Sequence, residues 1–216
     1  MNNRFCFFDL DGTLTDPAEG ITNSFVHALE FFGLEIPDYR TLCSFIGPPL
    51  RTTFRETFGF PEEQTDVAVA KYREYFAEKG LFENRLYDGI PALLKKLRGE
   101  GRILVVATSK PEEFSVRILE HFGIADYFDR ICGSLMDESR SDKAEVIKYA
   151  LESEGINGNS GVMMIGDRKH DIIGAKKNGL YSCGVLYGYG GRQELESAGA
   201  DFIAGTVENL EKILLG

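Results

Sequence analysis

The four cysteines, Cys6, Cys43, Cys132 and Cys183, are few and widely spaced, and no pair stands at metal-ligand spacing. A cysteine-held metal is thereby excluded, and no disulfide framework is implied. Cys6 falls inside an apolar run, where a buried reduced thiol is the expected state. Positive charge is also short: 24 Lys and Arg against 34 Asp and Glu leave a formal net charge of -10. No basic stripe is present to track a phosphate backbone, which argues against a nucleic-acid partner. Long hydrophobic runs are missing too. Stretches such as residues 103–107 are far too short to span a bilayer. The first acidic pair is reached by position 9, which leaves no room ahead of it for a signal peptide. No internal repeat or low-complexity tract interrupts the chain. From these absences we expect a soluble protein of the reducing cytoplasm, with no membrane and no nucleic-acid partner.

What is present begins at once. Phe5-Cys6-Phe7-Phe8 runs without polar alternation, as a strand buried on both faces does, and ends in Asp9-Leu10-Asp11-Gly12-Thr13. Asp9 and Asp11 are two apart, so their side chains leave an extended segment on the same side. Gly12 permits a sharp turn directly after them. Two like charges at one strand end repel, and a bound cation is the usual remedy. A tight Asp-Gly turn accounts for the same residues equally well, taken alone.

From about Tyr87 onward, strand-like and helix-period segments alternate. Helices are expected over residues 90–97, 111–122, 142–154, 171–178 and 207–215, and strands over 102–108, 130–133, 162–165, 181–186 and 201–203. Such alternation predicts an α/β fold, a doubly wound, mostly parallel sheet with helices on both faces. Residues 17–86 differ. They hold no convincing strand but four helix candidates, over 21–32, 41–46, 50–58 and 62–79, separated by Gly33, Pro37, Gly47-Pro48-Pro49 and Gly59. The expected organisation is a core of residues 1–16 and 87–216 with an all-helical unit, residues 17–86, inserted after the first strand. Its aromatics, Phe25, Phe31, Phe32, Phe54, Phe58, Tyr72, Tyr75 and Phe76, read as its own core.

Open parallel sheets bind ligands at the carboxyl ends of their strands. After residues 103–107 come Thr108, Ser109 and Lys110, two hydroxyls and backbone amides that suit an anion at a helix start. Lys143 opens a helix after the polar stretch Glu138-Ser139-Arg140-Ser141-Asp142, and Gly166-Asp167-Arg168-Lys169-His170-Asp171 follows residues 163–165. Each piece has an ordinary explanation: an N-cap, a solvated lysine, an acidic first helical turn. Four such pieces in this order, each by a strand end, are hard to attribute to turn chemistry.

Together they resemble the haloacid dehalogenase-like superfamily of hydrolases over essentially the whole chain. Asp9-Leu10-Asp11-Gly12-Thr13 matches its first motif, Thr108 its second, Lys143 its third and Gly166 to Asp171 its fourth. The helical insertion resembles the family's type-1 cap, and Thr108-Ser109-Lys110-Pro111 is similar to the Thr-Asn-Lys-Pro of the phosphoglycolate phosphatase-like branch, departing at Ser109. The resemblance implies a Rossmann-like core and a phosphatase acting on a small phosphomonoester, phosphoglycolate or a nucleoside monophosphate, as monomer or homodimer. It makes Asp9 the nucleophile and Asp11 the acid/base. Thr108 and Lys143 would hold the transferring phosphoryl group, and Ser109, Gly12 and Arg51 would contact substrate. Mg²⁺ would sit on the Asp9 carboxylate, the Asp11 carbonyl and Asp167, with Asp171 behind them fixing Lys143 or a metal-bound water. An acid at position 11 favours phosphoryl chemistry over dehalogenation, since a halide leaves without a proton. Arg51 and the Gly47-Pro48-Pro49 loop are explained equally well as structural features of the insertion. A phosphomutase of the same superfamily and a non-enzymatic receiver-like phospho-acceptor stand as alternatives.

Overall fold

The computed structural model describes residues 4–137, 139–156 and 161–216, so Glu138, in the polar stretch ahead of Lys143, lies outside the described residues. Six strands, β1 (Phe5–Phe8), β2 (Ile103–Pro111), β3 (Arg130–Ser134), β4 (Val162–Gly166), β5 (Tyr181–Val185) and β6 (Phe202–Ala204), form one sheet in the order β3-β2-β1-β4-β5-β6. Every pairing in it is parallel. The chain runs outward from β1 to β3, then jumps back past β1 to start β4. That reversal puts the topological switch point between the carboxyl ends of β1 and β4, where ligands of doubly wound folds bind.

The helices are α1 (Ala18–Phe31), α2 (Tyr39–Cys43), α3 (Leu50–Phe58), α4 (Glu62–Tyr75), α5 (Ile90–Gly99), α6 (Glu112–His121), α7 (Lys143–Ser153), α8 (Lys169–Lys177), α9 (Arg192–Ala198) and α10 (Val207–Leu215). Two compact units emerge. One takes the chain up to Asp16 and from Leu86 onward, and holds the sheet; the other is Pro17–Arg85. Two-residue strands, Thr15–Asp16 and Arg85–Leu86, stand where the chain leaves and re-enters the first unit.

In the first unit the central strands are apolar on both sides because both faces are covered. Val146, Ile147 and Ala150 of α7 and Ala175 of α8 pack on Phe7, Val105, Ala107 and Met164. Cys6, Cys132 and Cys183 are buried thiols, and burial pushes the Cys6 thiol up to about 12. No helix among the described residues is long and apolar enough to cross a membrane.

In the second unit, Phe25 gathers Phe45, Phe54 and Tyr72 with ring centroids 5.1 to 5.3 Å away, which makes an aromatic core. Not every expected aromatic joins it. Phe31 is 56% exposed, with the Lys71 ammonium 5.0 Å above its ring. Tyr75 is half-buried and donates its hydroxyl to Glu83. The helix expected to run to residue 79 stops at Tyr75 and widens into a π-helical turn, Phe76–Gly80. Gly80 there meets Gly20 of α1 so closely that a Cβ on Gly20 would strike the Gly80 backbone.

Candidate active site

The site is built at the ends of β1, β2 and β4. Asp9 follows β1 directly, and its N–H donates to the Ile165 carbonyl (2.8 Å), fastening the ends of β1 and β4 together. The chain then turns tightly: the N–H groups of Leu14 and Thr15 both donate to the Leu10 carbonyl. Gly12 makes this possible with a φ of +80°, and its own N–H donates to Thr15 (2.7 Å), so that amide serves the turn. A Cβ at Gly12 would collide with the Asp167 carboxylate. We expect Gly12→Ala to lower kcat/KM by at least about 10²-fold, through both the left-handed backbone and displacement of Asp167. Steady-state kinetics on the purified variant check this.

Lys143, the first residue of α7, ties the end of β1 to β2 and α8. Its buried ammonium lies 2.8 Å from Asp9 Oδ1 and 2.8 Å from Asp171 Oδ1, and donates to the Ala107 carbonyl (3.1 Å). That uses all three of its protons. Burial works against its charge, but Asp171 and Asp9 outweigh burial and raise its pKa. Asp142 caps α7 by accepting from the Ala144 N–H (2.8 Å), which anchors the helix start that carries Lys143. Asp171 also accepts from the Arg168 N–H (3.0 Å), so both its oxygens are engaged. Asp167 differs. Its Oδ2 accepts from the Tyr189 N–H (2.7 Å), whereas Oδ1 is buried with no hydrogen-bond partner.

Thr108 is buried within β2, directly after its apolar run, and its hydroxyl accepts from the Lys110 N–H (3.3 Å). It caps no helix: β2 continues to Pro111, and α6 starts at Glu112. Ser109 lies half-buried beside Thr108. Lys110, which the sequence reading leaves without a role, pairs with Asp11 Oδ2, both side chains being largely buried. The missed signal was period-2 alternation, which puts residues 108 and 110 on one side of a strand that runs past 108. Burial raises the Asp11 carboxyl, and Lys110 opposes that shift. Arg51 lies in the second unit, where it pairs with Asp66 (2.7 Å) and Glu62.

A cation fits this donor set. Asp9, Asp167 and Asp171 bring carboxylate oxygens within 4.8 Å of one another. Asp9, Asp11, Asp167 and Asp171 oppose two ammonium groups, Lys110 and Lys143, so the ionised cluster carries 4 - 2 = 2 surplus negative charges. Asp167 Oδ1 and Asp11 Oδ1 are buried and unsatisfied. All-oxygen ligation by carboxylates suits a hard divalent ion.

The family model for haloacid dehalogenase-like hydrolases matches residues 6–185, and the chain belongs to that family. A Pseudomonas aeruginosa protein named 5'-nucleotidase is 50% identical over 88% of this chain and 86% of its own. A Mycobacterium tuberculosis protein named tyrosine-protein kinase PtkA is 39% identical over 98% of this chain and 72% of its own. A crystal structure described as a predicted phosphatase from Clostridium acetobutylicum superposes with a TM-score of 0.96 at 51% identity, covering 100% of this chain and 99% of that one. A Vibrio parahaemolyticus protein named phosphoglycolate phosphatase is 26% identical over 96% of this chain and 94% of its own. The protein is a phosphoric monoester hydrolase.

Proposed function

We propose that the chain, through a core of residues 1–16 and 87–216, is a Mg²⁺-dependent phosphatase that works through an aspartyl phosphate on Asp9. The observation that carries this reading is the Lys143 bridge, which holds the Asp9 carboxylate at the switch point near Asp167, whose Oδ1 is unsatisfied. Bound on Asp9, Asp167 and the Asp11 carbonyl, Mg²⁺ would supply the positive charge that lets a carboxylate approach a phosphate dianion. An Asp9 oxygen attacks phosphorus, the bond to the leaving oxygen breaks, and Asp11 gives that oxygen its proton. Thr108 donates a hydrogen bond to the phosphoryl group, and the Lys143 ammonium balances charge spread over its oxygens. Asp11, now a carboxylate, takes a proton from water as that water attacks phosphorus and frees Asp9.

The substrate proposed first is a nucleoside 5'-monophosphate, on the strength of the 50% identical 5'-nucleotidase, with phosphoglycolate next. The mycobacterial relative favours a second reading, in which a tyrosine hydroxyl in place of water receives the phosphoryl group from Asp9. A phosphomonoester panel with Mg²⁺, ranked by kcat/KM, alongside a tyrosine peptide with ATP, separates the two. Phosphate released from nucleotides supports the first reading; phosphopeptide without phosphate release would replace it with the second.

Metal binding should depend on pH in a stated direction. Burial, then the charges of Asp171 and Asp9, hold the Asp167 carboxyl well above the usual carboxylate range. Burial also raises Asp171 to about 6 against the opposing pull of Lys143. Both folded-state values exceed the unfolded value of 3.8, so the metal-free fold binds extra protons from about pH 4 up to and beyond 6, and a cation must displace them. Mg²⁺ should therefore raise Tm by several degrees more at pH 7.5 than at pH 5, read by scanning calorimetry.

A further inference from the structure

The segment between β5 and α9 touches the site from a side that none of the four motifs covers. Tyr187 donates its hydroxyl to the Thr13 carbonyl (3.2 Å), and its ring lies edge-on to Tyr87 with centroids 4.9 Å apart. Gly188 packs so closely that a Cβ there would collide with the Gly12 carbonyl and the Asp167 carboxylate. Tyr189 donates its N–H to Asp167 Oδ2 (2.7 Å) and its hydroxyl to Asp16. Gly190 lies against the Asp167 carbonyl, which a Cβ would strike. One short segment thus grips the turn after β1 at Gly12, Thr13 and Asp16, and the loop after β4 at both the side chain and the backbone of Asp167.

The consequence is a choice between the two Asp167 oxygens. With Oδ2 occupied by the Tyr189 amide, the carboxylate cannot rotate freely, and Oδ1 is the oxygen left buried without a partner. A ligating carboxylate whose other oxygen is hydrogen-bonded has its orientation set before the ion arrives. The amide belongs to a glycine-flanked residue, Gly188-Tyr189-Gly190, whose backbone has little intrinsic stiffness. The Tyr189 hydroxyl on Asp16 supplies what the glycines lack, pinning the residue at its far end.

We infer that Tyr187 to Gly190 is a strap that orients Asp167 for a divalent cation, and that Tyr189 is its positioning residue, acting through its hydroxyl's hold on Asp16. The inference rests on the proposed metal reading. It makes affinity for the cation, rather than fold stability, the property that the tyrosine hydroxyl sets.

Isothermal titration calorimetry with Mg²⁺ alone, on metal-free full-length protein, tests it. Tyr189→Phe keeps the ring and removes only the hydroxyl, and is expected to bind Mg²⁺ about 10- to 100-fold more weakly, with the metal-free Tm within about 2 °C of wild type. Gly190→Ala, which displaces the Asp167 backbone, is expected to weaken binding at least as much. Wild-type affinity in Tyr189→Phe would overturn the strap while leaving the metal reading intact. A Tyr189→Phe protein whose weaker binding only follows a matching fall in metal-free Tm would also overturn it. No Mg²⁺ binding by wild type would overturn both together.

Discussion

Asp9→Asn should lower kcat by roughly four orders of magnitude or more while leaving the fold intact. The loss is expected to be large because an amide oxygen is a poor nucleophile toward phosphorus, and a removed nucleophile takes the covalent route with it. The fold should tolerate the change for a reason visible around Lys143. Its ammonium keeps Asp171 and the Ala107 carbonyl when Asp9 loses its charge, so no buried cation is stranded. One of four crowded carboxylates is also neutralised, which removes repulsion from Asp167 and Asp171. Kinetics paired with thermal unfolding check both halves. Turnover near the wild-type rate would remove Asp9 from its role.

Lys143→Met should be the more damaging substitution, because it strikes stability and turnover together. Removing the ammonium leaves Asp9 and Asp171 buried, close to each other and to Asp167, with no cation among them. Breaking a buried ion pair from one side costs on the order of 3–5 kcal/mol. In a chain of this size that is a fall in Tm of about 10 °C. The carboxylates can relieve part of the strain by taking up protons, so the fall should be smaller at pH 5 than at pH 7.5. Mg²⁺ should recover some of the lost stability and little of the lost turnover, since the oriented Asp9 is not restored. A variant as stable as wild type in the absence of metal would mean that Lys143 bridges nothing of consequence.

The part of this architecture legible in the sequence is the part written in long-lived periodicities. The apolar run ending in Asp9 is buried on both faces, and the strand–helix alternation after Tyr87 produces the parallel sheet. Asp9, Lys143, Asp167 and Asp171 are named by the resemblance to the family's motifs, and the structure brings them together at the switch point. What escaped is where the periodic signal is weakest. β2 loses its apolar residues after Ala107 yet goes on to Pro111, paired with Ser134 of β3 past a register shift. Reading the strand as ended at residue 108 put Lys110 on a helix start and hid its partnership with Asp11. The run Gly188-Tyr189-Gly190-Gly191-Arg192 follows a core strand and so is expected to border the site, but the partners of Tyr189, Asp16 and Asp167, lie 173 and 22 residues away, which no local pattern encodes.

The proposed route carries phosphorus through Asp9. Its most direct measurement is a rapid acid quench of the wild-type enzyme with a ³²P-labelled substrate and Mg²⁺, followed by peptide mapping of the labelled protein. A hydroxylamine-labile label is expected on the peptide carrying Asp9 and is expected to be absent from Asp9→Asn. Label on a different residue, or full turnover in Asp9→Asn with no labelled protein at any quench time, would contradict it.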